Sequence, residues 1–246
     1  MADAVILVTG ASSDIGVALL RHLLTADTAT TVLAHSFRGG AKIEALKAEF
    51  GDRIVPLNAD FSDAESVLAM ADSIAATYGS PTSIVHLPAL RLVYERFTKV
   101  KWERFQADLT VQVQSAVLLL QRFLPKMSKL PNARVVFVLS SVTLGMPPKF
   151  LSLYTVVKYA QFGLMRALAA EYAATSVRVN AISPSMVDTQ FLGDIAPVAV
   201  EMSAKGNPLG RNATPDDLLG ALALLLSPAS EYINGVDIPI TGGTSC

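Results

Sequence analysis

The 246-residue sequence predicts an α/β fold: one domain built on an open, doubly wound parallel sheet of about seven strands, with helices on both faces. Two observations carry this. Short runs rich in Val, Ile and Leu alternate with longer stretches of helical period, the pattern of buried parallel strands and their crossover helices. Hydrophobic residues make up 51% and charged residues 17%, enough apolar side chain to cover both faces of such a sheet and too much for a disordered chain. A single domain over 1–246 suits this length.

The first strand, 5–8, runs straight into a glycine-bearing turn, and the spacing Val17, Leu20, Leu23, Leu24 then marks an amphipathic helix over 15–25. Further strands fall at 31–34, 54–58, 83–86, 134–139, 177–182 and 236–240, where β-branched and apolar residues cluster. Helical periods fill the intervals at 43–49, 64–78, 102–127, 152–173 and 215–226. Between Pro184 and Pro208 the pattern loosens into a connection longer than compact domains carry without purpose. Residues 186–210 read as a substrate lid, or as a short surface helix, and the two are compatible.

Several function classes recede. Twenty Lys and Arg against 21 Asp and Glu give a net charge of −1, with no basic field for nucleic acid. The apolar run 218–226 is far shorter than the roughly 20 residues of a membrane span, and the start of the chain lacks the basic and apolar regions of a leader, so a cytoplasmic protein is expected. Cys246 is the only cysteine, which excludes an internal disulfide and a Cys-rich zinc site. His22, His35 and His86 are scattered without ligand spacing, so no metal is assigned.

The turn reads Thr9-Gly10-Ala11-Ser12-Ser13-Asp14-Ile15-Gly16. Gly10 can take angles closed to other residues, Gly16 permits close helix-to-sheet packing, and free N–H groups in the first helical turn can receive a pyrophosphate. Asp14 is the awkward member: a carboxylate there competes with an anionic ligand unless it points outward, which is the expectation. Downstream, Ser141 follows the fifth strand, Tyr154 stands thirteen positions later and Lys158 four beyond that. The last spacing stacks phenol and ammonium on one helical face, where the ammonium favours the phenolate and a tuned phenol can exchange a proton with a carbonyl or alcohol oxygen.

These motifs resemble the short-chain dehydrogenase/reductase family over nearly the whole chain, most closely its 3-oxoacyl carrier-protein reductases. The resemblance implies a Rossmann-like fold and a reversible hydride transfer between a nicotinamide and a carbonyl carbon. It makes Ser141, Tyr154 and Lys158 the catalytic set, with Tyr154 protonating the oxygen, Lys158 holding the nicotinamide ribose and Ser141 orienting the substrate. Asp60 and Phe61 match the segment that meets the adenine; Asn180, Pro184, Met186, Val187 and Thr189 match the segment that receives the nicotinamide end. Cofactor contacts are expected from Gly10, Ser12, Ser13, Asp14, Ile15, Gly16, His35, Ser36, Arg38, His86, Leu87 and Pro88. Relatives pair their long helices, so a homotetramer or homodimer is expected.

There are departures. His86-Leu87-Pro88-Ala89 replaces the family's Asn-Asn-Ala-Gly, and Gln112 falls where the family has a catalytic Asn. Gln112 reads as a support for a proton relay or as a polar residue satisfying helix backbone. The second strand ends without an acid, and Ser36 and Arg38 are available as donors, so NADPH is favoured over NADH; Arg38 can equally be a solvated surface residue. Leu90, Leu92, Met146, Phe150, Met186, Phe191 and Leu192 suggest an apolar substrate, a 3-oxoacyl thioester or similar ketone, unless they are core or subunit contacts. Lys126, Lys129 and Arg134 could meet an acidic acyl carrier or form a solvated helix end. Two other readings stay open: a nucleotide-binding partner subunit with reduced catalysis, and an NAD-dependent alcohol or sugar dehydrogenase.

Overall fold

The computed structural model describes residues 4–38 and 40–244; Cys246 and the first three residues lie outside the described part. Seven strands, β1 (Val5–Thr9), β2 (Thr31–Ser36), β3 (Ile54–Asn58), β4 (Ser83–His86), β5 (Arg134–Val138), β6 (Arg178–Pro184) and β7 (Asp237–Ile240), form one sheet in the order β3-β2-β1-β4-β5-β6-β7. Every pairing is parallel. The strand order reverses between β1 and β4, and in such sheets the crevice at the carboxyl ends of the strands is where ligands bind.

Alternation along the strands builds two cores. Leu7, Leu33, Ile84, Val135, Phe137, Val179 and Ala181 face one side, while Ile6, Val8, Val32, Ala34, Val85, Val136 and Ile182 face the other. The first core is closed by α3 (Ala64–Thr77), α5 (Ser115–Met127) and α6 (Ser152–Glu171). The second is closed by α1 (Asp14–Ala26), α2 (Gly40–Phe50) and α8 (Asp216–Leu226). No helix among the described residues is long and apolar enough to cross a membrane.

The structure revises two expected elements. The helix read over 102–127 is divided: α4 (Trp102–Leu109) passes through a π turn, Thr110–Gln114, into α5. Apolar periodicity cannot register such a turn, because it inserts one residue without breaking the helix. Within 186–210, α7 (Pro197–Gly206) follows a short 3₁₀ turn at Gln190–Leu192, so the segment carries the short helix that was one of its two readings.

Two buried imidazoles tie the carboxyl ends of the central strands together. His86, at the end of β4, bonds Thr9 Oγ1 through Nδ1 at 3.0 Å and donates from Nε2 to the Gln112 carbonyl at 2.9 Å. His35, on β2, stacks on Phe61 at 3.9 Å between ring centroids, donates from Nε2 to the Ala59 carbonyl at 3.0 Å and receives Gly10 N–H on Nδ1 at 3.3 Å. Burial pushes both pKa values down, to about 4 for His35 and about 3 for His86. The unfolded chain takes up these protons near pH 6.5 and the native state does not, so this stability is present above pH 6.5 and lost as pH falls toward the folded values. Urea denaturation at pH 5 should therefore show each imidazole removing about 2 kcal/mol relative to pH 7, and His35→Gln should flatten part of that dependence. An equal slope in the variant would exclude His35 as its source.

Candidate active site

The glycine turn folds as its spacing requires. Gly10 sits at φ +70°, with its α-carbon against the Leu87 and Pro88 backbone. A side chain on Gly16 would place a β-carbon 2.5 Å from the Ala11 carbonyl. Ser13 caps α1 by accepting Gly16 N–H at 3.1 Å, which leaves the N–H groups of Asp14 and Ile15 as the orphan donors of the helix. This is an anion-receiving end, and it fits the pyrophosphate of a dinucleotide.

The Asp14 carboxylate is partly open to solvent and has partners on two other segments. Its Oδ1 accepts from Lys42 Nζ at 2.7 Å and its Oδ2 from Gln190 N–H at 2.7 Å; Lys42 also reaches Gln190 Oε1 at 3.3 Å. Burial acts to raise its pKa, but the Lys42 ammonium and the Gln190 N–H outweigh it and hold the carboxyl below the ordinary value. Asp14 thus clasps the first turn of the lid to α1 and α2.

The other expected nucleotide contacts divide into rim and support. Ser12, Ser13, Ile15, Arg38, Asp60, Met186 and Thr189 stand at the surface or partly open to it. Arg38 lies over its neighbour Phe37, 4.8 Å from the ring centroid, and Asp60 is held below its ordinary pKa by the hydroxyl and N–H of Ser62. The side chains of His35, Ser36, Phe61, His86, Pro88, Pro184 and Val187 are buried. His35, Phe61 and His86 therefore serve the site by supporting its backbone. Asn180 does likewise, bonding the Ile233 carbonyl and Val236 N–H on the way into β7.

Tyr154 and Lys158 share one face of α6 under the end of β5, with Lys158 Nζ 5.7 Å from the centroid of the phenol ring. Nζ donates to the Val138 carbonyl and to Gln161 Oε1, each at 3.0 Å. Burial pushes Tyr154 up to about 12 and Lys158 down to about 7. Expected from spacing alone was a phenol lowered by its ammonium; desolvation dominates instead, because both groups lie beneath the surface. The Ser140 hydroxyl acts against that rise in Tyr154. Ser141, next along, opens a 3₁₀ turn and has no hydroxyl partner among the described residues. Thr143 anchors this turn to Ser140 O, to Ser183 and to Asp237.

Gln112 is fully buried in the π turn, but its side chain is not on the lysine. Nε2 donates to Asp108 Oδ1 at 2.8 Å, Asp108 Oδ2 accepts from Arg104 Nε at 3.0 Å, and Oε1 has no partner among the described residues. Its backbone carbonyl makes the connection, accepting from His86 Nε2 and from Gln161 Nε2 at 3.0 Å. Asp108 and Gln161 escaped the sequence reading. Their signals were Arg104, Asp108 and Gln112 at successive intervals of four, and Gln161 three residues past Lys158.

A cavity of about 50 Å³ beside Tyr154 is lined by Leu90, Leu92, Val100 and Phe150, and also by Arg104, Asp108 and Ser152. Leu92, Val142, Leu151 and Ile195 form a small apolar cluster against Tyr154, Phe191 and Leu192. Met146, in contrast, is 96% exposed. Arg134 is corrected outright: it is buried at the start of β5, the opposite end of the sheet from Tyr154, with its guanidinium on Ser227, Ser230 and Ser176. It offers nothing to an acyl carrier.

The family model described as enoyl-(acyl carrier protein) reductase matches residues 10–245. The uncharacterized oxidoreductase YmfI of Bacillus subtilis (strain 168) is 30% identical, covering 98% of this chain and 98% of its own. The cis-4-hydroxycyclohexanecarboxylate dehydrogenase of Sinomonas cyclohexanicum is also 30% identical, over 98% of this chain and 96% of its own. The crystal structure of a 3-ketoacyl-(acyl-carrier-protein) reductase from Brucella melitensis, complexed with NADH, superposes with a TM-score of 0.88 at 26% identity, covering 99% of this chain and 98% of that one.

The clasp makes a direct prediction. In Asp14→Ala the Gln190 N–H loses its carboxylate, and its hydrogen exchange should accelerate several-fold, the scale of one partly exposed charge-assisted bond. Unchanged protection at Gln190 would mean that the lid is held by something else.

Proposed function

Because the chain belongs to the short-chain dehydrogenase/reductase family, NAD(P)-dependent oxidoreductases acting on CH–OH groups, we propose that it is an NADPH-dependent reductase of ketones. Its substrate is a 3-oxoacyl thioester or a similar apolar carbonyl, and Tyr154 is the proton donor. One observation carries this reading: the partly buried Tyr154 and the buried Lys158 lie together at the carboxyl end of the sheet, joined through Gln161 and Gln112 to the strand ends that carry the glycine turn.

The nicotinamide cofactor, when bound, supplies the hydride to the carbonyl carbon. Asp14 and Ile15 N–H, with Thr189 across the crevice, would hold its phosphates. At neutral pH a phenol pushed up to about 12 stays protonated, which suits Tyr154 to giving a proton to the developing alkoxide. The uncommitted Ser141 hydroxyl, at the start of the 3₁₀ turn, can donate to the substrate oxygen. Leu92, Val142, Leu151, Ile195, Phe191 and Leu192 supply the dry wall that favours an apolar substrate. NADPH is favoured because β2 ends without an acid and Arg38 stands exposed just past it. Exposed Val156 and Tyr159 on α6 and Trp102 on α4 support assembly as a homotetramer or homodimer.

A second reading has its own support. Arg104, Asp108 and Ser152 make one wall of the cavity beside Tyr154 polar, and the Ser152 hydroxyl is buried without a partner among the described residues. A small hydroxylated alcohol, oxidised with NAD, fits that wall better than an acyl chain does.

The deciding assay is NADPH consumption across 3-oxoacyl thioesters, simple ketones and hydroxyketones, beside NADH. Tyr154→Phe should lower turnover by about 10² to 10⁴-fold while nucleotide binding stays near wild type; equal turnover would sink the proton-donor assignment. Arg38→Ala should weaken NADPH more than NADH, and a uniform loss would remove Arg38 from phosphate recognition.

A further inference from the structure

The buried face of α6 runs Val157, Lys158, Gln161, Met165, Ala169. In this apolar stripe Gln161, 1% exposed, stands four residues after Val157 and four before Met165. Burying a primary amide is costly unless both of its ends are bonded. A leucine would continue the stripe at less cost, so the amide is explained by what it bonds. Its Oε1 accepts from Lys158 Nζ and its Nε2 donates to the Gln112 carbonyl, both at 3.0 Å. That carbonyl lies in the π turn and is shared with His86.

We propose that Gln161 is a positioning residue for the reacting pair: its amide braces the Lys158 ammonium against the Val138 carbonyl, beside the Tyr154 ring, and ties it to the π turn. This rests on the reading of Tyr154 and Lys158 as the reacting pair. The brace favours the charged lysine, because the hydrogen bond to Gln161 Oε1 is charge-assisted while Nζ is an ammonium and weaker once Nζ is a neutral amine. Three other polar or titratable groups face Lys158: Tyr154 on the same helix, Asp108 on α4, whose charge favours the ammonium, and His86 on β4, which is neutral. None of the three is hydrogen-bonded to Nζ; Val138 O and Gln161 Oε1 are its acceptors.

The test reads the lysine itself. In protein labelled with ¹³C at lysine Cε, the Lys158 resonance is identified by its loss in Lys158→Met, and its pH midpoint is followed in wild type, Gln161→Leu and Gln161→Glu. Gln161→Leu removes an acceptor and should lower the midpoint by about one pH unit. Gln161→Glu sets a carboxylate against Nζ and should raise it by a similar amount. Opposite movements establish the brace; midpoints that stay with wild type in both variants overturn it, since a purely structural residue would change stability and leave the titration alone. If Gln161→Leu does not fold, Gln161→Met removes the same acceptor and takes its place. The readout needs no turnover, so full activity in Tyr154→Phe would defeat the functional reading while the titration still judged Gln161.

Discussion

The site depends on one backbone carbonyl. Gln112 O, in the π turn between α4 and α5, accepts from His86 Nε2 on one side and from Gln161 Nε2 on the other. Through His86 it reaches Thr9 and the end of β1, where the glycine turn begins. Through Gln161 it reaches Lys158, and so the helix that carries Tyr154. A regular helix offers each carbonyl mainly to its own backbone, and π turns recur where a helix must serve a site as well. Here the turn lets one oxygen join the end of β1, with its glycine turn, to the helix that carries Tyr154 and Lys158, so hydrogen bonds inside the protein set the register between them.

That arrangement has an electrostatic consequence. The groups around the carbonyl are buried, and burial disfavours their charged forms, so both imidazoles are neutral at pH 7 while Tyr154 is held in its phenol form. Lys158, pushed down to about 7, is the one member poised between forms near neutrality. Arg104 and Gln112 satisfy both oxygens of Asp108.

How much of this was legible beforehand follows from the range of each signal. The seven strands and the order of helices were readable because burial on both faces forces apolar runs, and Leu7 or Val135 can be placed from composition alone. Gly10, Gly16, Tyr154 and Lys158 were readable because local spacing carries their roles. The partners of Asp14 were not: Lys42 and Gln190 lie 28 and 176 residues away, and no local pattern announces them. The π turn was invisible for a different reason, since it preserves apolar character on both sides. Gln112 was singled out for its side chain, whereas the atom that joins it to His86 and Gln161 is its main-chain oxygen, which a residue letter does not describe.

The departures from the family pattern that weighed toward a subunit with reduced catalysis take on a different meaning when their partners are counted. His86 is matched to Thr9 and to the Gln112 carbonyl, and Pro88 packs its backbone against Gly10, whose φ of +70° leaves no room there for a side chain. Asp14 is matched to Lys42 and to the lid. Gln112 is matched to Asp108, and Asp108 to Arg104. Relaxed drift at a disused site tends to strand buried polar groups, each at a cost of about 1–3 kcal/mol. In this crevice the substituted residues keep partners, Asp14 on Lys42 and the Gln190 N–H, His86 on Thr9 and the Gln112 carbonyl, and among their buried side-chain atoms Gln112 Oε1 alone is left without a partner among the described residues.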